Sequence, residues 1–277
     1  MEILNEVKIK FLEEKARNIR ISIIEMLAEA GSGHTAGSLG MADVFALLFF
    51  HSLKHNPSVP EWDERDRLVL SNGHICPVMY AAMAHAGYFP TEELLTLRKF
   101  GSRLQGHPHR EFLPIVETSS GPLGEGLSQA IGMALALRMD KKENNIFCLM
   151  GDGELDEGQV WEAAMQAGKE KLGKLIAIID RNNIQIDGTT DQVMPLEPLA
   201  KKWEAFGWHT EEVNGHDFQA LNMAIEEAKK VTDKPSIIIA HTISGKGVPE
   251  IEGDFRWHGK APSNEEAERF IALLKDK

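Results

Sequence analysis

Asp152 stands between two glycines at the end of an apolar run, in the stretch LMGDGELDEGQ. A hard divalent cation needs about six oxygen ligands, so one carboxylate would have to share the ion with other groups. A second apolar run, LIAII, begins at residue 175 and leads into DRNN. There Asn182 offers an amide oxygen and Ile184 offers a backbone carbonyl. The sequence therefore predicts that Asp152, Asn182 and the Ile184 carbonyl share one metal ion.

Three protein oxygens leave a magnesium-like ion about three positions for phosphate and water. Gly151 and Gly153 lack side chains, so the backbone can approach a bulky anion there. A helix predicted to begin near Glu157 or Gly158 directs its N-terminus towards the same place. Together these features favour a metal-assisted diphosphate site. The alternative, a plain turn in which Asp152 caps the next helix, explains the GDG but not the NN after the second apolar run.

The apolar runs that precede these polar residues are typical of buried strands in a parallel sheet. Strands alternate with helices along the chain, which predicts an α/β fold with a mainly parallel sheet and helices on both faces. The predicted strands, with the turns that follow them, cover residues 67–74, 144–153, 174–183, 208–213 and 234–242. The predicted helices cover residues 3–29, 41–53, 77–87, 128–139, 158–172, 198–207, 217–231 and 264–276.

One predicted helix, residues 158–172, joins the strand before Asp152 to the strand before Asn182. This length suits a right-handed crossover between neighbouring parallel strands. Ligands of such sheets bind at the carboxyl ends of the strands, where both polar residues would lie. We therefore expect Asp152 and Asn182 to face the same cleft.

No repeat, low-complexity tract or Pro/Ser linker interrupts residues 3–240, so we expect residues 1–277 to form a single domain. One Gly-rich loop, at about residues 244–263, is the exception to the regular alternation. Loops of this length in compact domains are usually functional or mobile.

Composition restricts the class of protein. A formal net charge of -12 repels nucleic acid, and no basic stripe with interleaved aromatic residues offsets it. The charged start lacks the apolar core of a signal peptide, and no apolar run approaches the roughly 20 residues that span a bilayer. Cys76 and Cys148 lie in or beside apolar runs, as free buried thiols do. We expect a globular cytoplasmic protein that binds neither nucleic acid nor membranes.

The GDG at 151–153 followed by NN at 182–183 resembles the thiamin diphosphate motif. Five further segments resemble, in order, the N-terminal domain of the transketolase family. They are GSGHTAGSLG (31–40), LSNGH (70–74), QGHP (105–108), GPLGEG (121–126) and WHGKAP (257–262). The resemblance covers roughly residues 10–265 and implies the thiamin diphosphate-binding fold.

The resemblance also implies roles for individual residues. Asp152, Asn182 and the Ile184 carbonyl would bind Mg²⁺, in agreement with the interpretation from residue types alone. The residues expected to contact the cofactor thiamin diphosphate are His74, Gly121, Pro122, Leu123, Gly153, Asn182 and His258.

His34, His107 and His258 match histidines that face the thiazolium and the sugar in transketolases, and we expect them to be catalytic. Attack by a carbanion on a ketose creates an alkoxide, which an imidazole can stabilise while moving its proton. A zinc site is the rival interpretation of these histidines, because Cys76 lies two residues from His74 and His109 two from His107. The spacings match no closed tetrahedral pattern.

Transketolases also need a glutamate from a second domain, which activates the cofactor across a dimer interface. The sequence contains no such domain, so the resemblance implies the N-terminal subunit of a split transketolase. Its partner would be a C-terminal transketolase subunit that carries the catalytic glutamate, in a heterotetramer with two copies of each. The substrates would be sugar phosphates, in the pentose phosphate pathway. Glu157 and Glu162 resemble acidic residues at the family's subunit interface; the alternative is that both are solvated helix charges.

Some positions depart from the family's usual pattern. Thr35, Ala36 and Gly37 follow His34 where a proline-glycine pair is usual. Phe255 stands where many members have a histidine, and Arg181 replaces an acidic or amide residue. These departures leave the choice of sugars open.

Two other functions compete with ketol transfer. The cofactor-binding subunit of a 2-oxo acid dehydrogenase's decarboxylase component also uses GDG and NN, although the SGH, SNGH, QGHP and GPLGEG spellings favour transketolase. A binding or regulatory protein could keep the fold without catalysis, but the intact set of metal ligands argues against this.

Overall fold

The computed structural model describes residues 3–276. Its centre is a five-stranded sheet in the order β1-β2-β3-β7-β6, and all four pairings within it are parallel. The strands of this sheet are β1 (Arg67–Leu70), β2 (Ile146–Gly151), β3 (Leu175–Arg181), β6 (His209–Asn214) and β7 (Ser236–His241). A separate antiparallel hairpin consists of β4 (Ile184–Gln185) and β5 (Gly188–Thr189). The predicted α/β class with a mainly parallel sheet is confirmed.

Helices cover both faces of the sheet. They are α1 (Glu6–Ala30), α2 (Thr35–Gly40), α3 (Ala42–Leu47), α4 (Cys76–His85), α5 (Glu125–Met139), α6 (Gly158–Glu170), α7 (Thr190–Val193), α8 (Leu199–Ala205), α9 (Phe218–Lys230) and α10 (Asn264–Lys275). Alternate side chains of each strand point to opposite faces, which divides the interior into two cores. In β2, Phe147 and Leu149 join the core beneath α1, α3, α4, α9 and α10. Its Cys148 and Met150 join the second core, beneath α5, α6 and α8.

The ends of α1 show why it forms where the periodicity predicts. The Asn5 side chain accepts from the backbone N–H of Lys8, which caps the first turn. Gly31 ends the helix with φ of 64°, a left-handed conformation that glycine adopts without a steric penalty. The observed helix starts three residues later and ends one residue later than the predicted span of 3–29.

The structure adds local elements that the patterns did not predict. Residues 35–40, which lie between the predicted helices at 3–29 and 41–53, form the short helix α2. The predicted helix at 41–53 consists of α3 followed by a π-helical turn at Leu48–Ser52. A 3₁₀ turn at Gly153–Asp156 separates Asp152 from α6, so the N-terminus of α6 does not follow the aspartate directly.

The Gly-rich connection at 244–263 packs against the body of the protein. Gly245 donates its backbone N–H to the Ala36 carbonyl at 2.8 Å. Val248, Ile251 and Trp257 are buried, and a 3₁₀ turn at Phe255–Trp257 leads to His258. This loop therefore brings His258 back to the start of α2. No helix within residues 3–276 is long and apolar enough to cross a bilayer.

Candidate active site

Strands β2 and β3 are direct neighbours, with Gly151 paired to Asp180 at their carboxyl ends. Helix α6 is the crossover between them, as the sequence predicted. Their tips form one wall of a cleft of about 230 Å³. The cleft is lined by His34, Gly37, Asn72, His74, His107, Gly121, Leu123, Gly151, Asp152, Gly153, Glu154, Asp180, Asn182, Ile184, Gln185, Ile186, Ser244 and His258.

The Asp152 carboxylate is almost fully buried at the floor of this cleft. Its Oδ1 accepts from the backbone N–H of Gly153 at 2.8 Å, and its Oδ2 accepts from the N–H of Asn183 at 2.7 Å. Burial raises the pKa of this carboxyl, while these bonds and the nearby Arg181 act in the opposite direction. Asp152 caps the 3₁₀ turn and not α6, whose N-cap is Glu157, so the plain-turn alternative does not describe it. Its second oxygen accepts from Asn183, just beyond β3.

Asn182 lies at the edge of the same cleft, just beyond β3. Its Oδ1 accepts from the backbone N–H of Ile184 at 2.9 Å, and its Nδ2 donates to Asp180 Oδ2 at 2.8 Å. The amide is therefore oriented by both of its ends, and its oxygen is turned towards the start of the β4–β5 hairpin. Ile184 itself lines the cleft.

The oxygen atoms of Asp152 and Asn182 suit a hard cation as ligands. Asp152 Oδ1 and Asn182 Oδ1 each accept one hydrogen bond from the protein, which leaves each oxygen with further acceptor capacity. Oxygen ligands of this kind are those that magnesium prefers. Across residues 3–276, no three His, Cys, Asp or Glu side chains are grouped to hold a metal, so the zinc interpretation of the histidines lacks a ligand set.

Four histidines from four separate segments meet in the same cleft. The His34 ring centroid lies 5.0 Å from that of His74, 5.3 Å from His258 and 6.3 Å from His107. The His74 and His258 centroids are 5.1 Å apart. The sequence thus predicted correctly which histidines lie close together in the fold, although their catalytic roles stay predictions.

The four histidines of the cluster are neutral at neutral pH, because their pKa values are lowered. Burial, reinforced by His258, His107 and Arg98, lowers the pKa of His34 from 6.5 to about 4. Burial is also the main cause that lowers the pKa of His74, His107 and His258. A neutral imidazole carries both a donor and an acceptor nitrogen, so these rings can each accept one hydrogen bond and donate another at neutral pH.

The turn at residues 121–123 is only partly in the cleft. Gly121 and Leu123 line it, whereas Pro122 is exposed and does not. The Leu123 carbonyl accepts from Gln159 Nε2 at 2.9 Å, which ties the turn to α6. The predicted contact of Pro122 with the cofactor therefore stays a prediction without a cleft-facing position to support it.

Glu154 is a residue whose part the sequence analysis missed. Its Oε1 accepts from Ser71 Oγ and, at 2.7 Å, from the Gly124 N–H, while Oε2 accepts from the Gly151 N–H at 3.0 Å. Burial raises the pKa of this carboxyl, and the three bonds oppose the shift. Glu154 thereby fastens the 121–124 turn and β1 to the tip of β2. Its position two residues after Asp152 was a visible signal, but its partners lie 30 and 83 residues away.

Asn72 and Asp180 were also missed. Asn72 is 1% exposed, lines the cleft beside Gly151, and neither atom of its amide has a hydrogen-bond partner among residues 3–276. Buried polar groups are normally paired, so these atoms point to a ligand. Burial raises the pKa of Asp180 to about 7, and Thr242 Oγ1 and Asn182 Nδ2 donate to it.

Several residues singled out in the sequence lie outside the cleft. Phe255 is 40% exposed and Thr35 is buried, with its hydroxyl donating to the Lys260 carbonyl at 2.6 Å. Ala36 packs in the core, while Gly37 does line the cleft. Glu157 and Glu162 are both exposed, at the N-cap and on the surface of α6.

Comparison with known proteins agrees with this geometry. Residues 12–274 match the family model described as "Transketolase, thiamine diphosphate binding domain". The 6-deoxy-6-sulfo-D-fructose transketolase subunit of Clostridium sp. (strain MSTE9) is 45% identical, covering 95% of this chain and 96% of that protein. A subunit of the apulose-4-phosphate transketolase of Phocaeicola vulgatus is 38% identical, covering 98% of this chain and 96% of that protein.

Solved structures lead to the same family. The transketolase of Campylobacter jejuni superposes with a TM-score of 0.88 at 38% identity, covering 95% of this chain and 43% of that one. The transketolase from Leishmania mexicana gives 0.90 at 36%, covering 95% and 41%. The chain thus spans about two fifths of these solved transketolases. With the family model matched over residues 12–274 and a subunit-length relative at 45% identity, the chain belongs to the transketolase family, whose thiamin diphosphate-binding domain it represents.

Proposed function

We propose that this protein is the N-terminal subunit of a split transketolase. Together with a C-terminal partner, it transfers a two-carbon ketol unit from a ketose phosphate to an aldose phosphate, using thiamin diphosphate and Mg²⁺. The observation that carries the proposal is the shared cleft. A buried carboxylate and an amide at the tips of β2 and β3 line the same cleft as a cluster of four neutral histidines.

Asp152, Asn182 and the Ile184 carbonyl would hold Mg²⁺, and the diphosphate would lie against the backbone of Gly151 and Gly153, which line the cleft. A Cβ added at Gly153 would lie 2.9 Å from Gln185 Cγ, so this turn leaves no room for a larger residue. Bound thiamin diphosphate would supply the nucleophilic carbon that ketol transfer requires. His74 and the Gly121 turn would support the cofactor from the side of β1.

The histidines would manage the protons of the sugar. His34, His107 and His258 are at least partly accessible from the cleft, and their lowered pKa values keep the rings neutral at neutral pH, so that each can hydrogen-bond to the sugar. Imidazoles near a developing alkoxide stabilise its charge by hydrogen bonding and then return the proton. Burial around them excludes water that would compete for these bonds.

A second subunit is part of the proposal because two similar proteins are named as transketolase subunits and match this chain over nearly their whole length. The solved transketolases contain more than twice the length of chain that is matched here. The partner would bring the glutamate that activates the cofactor, in a heterotetramer of two copies of each subunit. Exposed Glu157 and Glu162 on α6 are placed where a neighbouring subunit can reach them.

The substrates are sugars with an anionic group. One relative is named for a sulfonated fructose and the other for apulose 4-phosphate, which supports this class without choosing between its members. Placement in the pentose phosphate pathway is the simplest assignment for a sugar phosphate, and two buried thiols suit a cytoplasmic protein.

The test is reconstitution. The purified chain is assayed for ketol transfer with thiamin diphosphate, Mg²⁺ and a panel of ketose and aldose phosphates, with and without the C-terminal subunit. We expect transfer only when both subunits are present, and none with Asp152→Asn. Full activity of the single chain would contradict the need for a partner.

The same reconstituted pair also tests the alternative that the protein belongs to a 2-oxo acid dehydrogenase. A 2-oxo acid decarboxylase component would release carbon dioxide from pyruvate with an artificial electron acceptor, and we expect no such release. If the pair shows no carbon dioxide release, no ketol transfer and no Mg²⁺-dependent cofactor binding, the result would favour a non-catalytic role.

A further inference from the structure

A buried arginine contacts the proposed metal ligand. Arg181 is 4% exposed at the end of β3, and its Nη1 lies 3.1 Å from Asp152 Oδ2. The same nitrogen donates to Thr190 Oγ1 at 2.8 Å, and Nη2 donates to Glu197 Oε1 at 3.1 Å. Because two of these three partners lie outside the metal site, the guanidinium is held in place whether or not a metal is bound.

This contact decides which oxygen of Asp152 is free. Oδ2 accepts from both Arg181 Nη1 and the Asn183 N–H, at 3.1 and 2.7 Å, and these two bonds use its two lone pairs. Oδ1 accepts one bond, from the Gly153 N–H. A metal ion therefore meets Asp152 through Oδ1 alone, and the carboxylate cannot swing to bind it with both oxygens.

The contact also changes the charge that a metal ion meets. Asp152 is the charged member of the ligand set, since Asn182 and the Ile184 carbonyl are neutral. The guanidinium offsets this charge at close range in a buried place, where charges are poorly screened. The guanidinium therefore weakens the attraction that Asp152 exerts on a divalent ion arriving alone, in a cleft that the Asp180 and Glu154 carboxylates also line. An ion that carries a diphosphate arrives with negative charge that the guanidinium attracts.

From this we infer that Arg181 is a positioning residue that makes metal binding depend on the diphosphate, so that the ion enters with the cofactor and not before it. The inference rests on the proposed function. Arg181 would thereby change the affinity for the metal ion and not only the rate of the reaction.

The test measures Mn²⁺ binding by electron paramagnetic resonance on the chain reconstituted with its partner subunit, with and without thiamin diphosphate. We expect the wild type to bind Mn²⁺ at least tenfold more weakly without the cofactor than with it. Arg181→Gln should bind Mn²⁺ alone at least tenfold more tightly than the wild type does. A purely structural role would weaken binding in both conditions.

Two control variants keep the result interpretable. Arg181→Lys retains the charge and should bind Mn²⁺ alone within about threefold of the wild type. If Arg181→Gln does not fold, the double variant Arg181→Gln/Glu197→Gln removes the pair together and should still bind Mn²⁺ alone more tightly. Equal or weaker binding of Mn²⁺ alone in the neutral variants overturns the inference. Absence of Mn²⁺-dependent cofactor binding in the wild type overturns the proposed function instead.

Discussion

The polar side chains of the cleft differ in whether the protein itself satisfies them. Asp152, Asn182 and Glu154 are each held by hydrogen bonds from neighbouring backbone, so their orientation is set before any ligand arrives. Asn72 has no such partners among the described residues. Asp152, Asn182 and Glu154 are therefore preorganised by the protein, whereas the Asn72 amide has unused hydrogen-bonding capacity for a ligand.

Asn72→Ala should weaken thiamin diphosphate binding about tenfold, or about 1.4 kcal/mol. The free energy of unfolding should change by less than about 1 kcal/mol, because the amide gives up no protein hydrogen bond. Calorimetric titration and urea unfolding measure the two effects. Ser52→Ala is the matched control, since the Ser52 hydroxyl is also buried without a partner among residues 3–276 but does not line the cleft. Unchanged cofactor affinity in Asn72→Ala would contradict this role.

The lowered pKa of His34 makes a prediction about stability. Its pKa falls from 6.5 to about 4 on folding, so between these values the unfolded chain binds more protons than the folded one. Stability from this residue is therefore complete above pH 6.5 and is lost as the pH falls towards 4. Urea unfolding at pH 7 and pH 5 should show a larger loss for the wild type than for His34→Gln. Equal losses would mean that His34 titrates normally in the folded protein.

Among individual residues, the sequence predicted those site residues that residue type and spacing alone can identify. Asp152 and Asn182 were found because each directly follows a buried strand, and Ile184 because it lies two residues after Asn182. Asn72 and Glu154 were not, since their importance comes from contacts or missing contacts that only the folded chain defines. Glu154, for example, meets Ser71 across 83 positions of sequence.

The elements bring their residues together through close backbone approach as well as through apolar packing. In α6, a Cβ added at Gly168 would lie 1.9 Å from the Phe206 carbonyl oxygen, just beyond α8. In α5, a Cβ added at Gly132 would meet nothing within 4 Å. Both glycines are helical, so the two positions isolate the effect of packing from that of helix propensity.

Gly168→Ala should lower the free energy of unfolding by about 2 kcal/mol, because α6 must move away from Phe206. Gly132→Ala should raise it by about 1 kcal/mol through helix propensity alone. Thermal and urea unfolding of both variants provide the measurement. Stabilisation by both substitutions would show that α6 and α8 are not packed this closely.

Long periodic segments were predicted well and short ones were not. The helix at 3–29 shows its apolar period, and the strands of residues 144–153 and 174–183 contain continuous apolar runs that are typical of buried strands. Helix α2 has six residues, two of them glycine, and its apolar neighbours gave no periodic signal. Strands β4 and β5 have two residues each, too few for any alternation.

At the scale of the whole molecule, two apolar cores hold the sheet rigid while one end of it carries the polar residues. The core on each face is continuous across β2, β3 and β7. The site therefore sits on the best-packed strands, which is where ligand groups can be held in fixed geometry. Which strands and loops end at this edge of the sheet determines which polar side chains line the cleft.

The crystal structure of the chain with its partner subunit, Mn²⁺ and thiamin diphosphate tests the account most directly through the anomalous scattering of manganese. We predict one anomalous peak at about 2 Å from Asp152 Oδ1, Asn182 Oδ1 and the Ile184 carbonyl oxygen, with the diphosphate completing the coordination. A peak among the four histidines, or a diphosphate bound away from the tips of β2 and β3, would contradict the account.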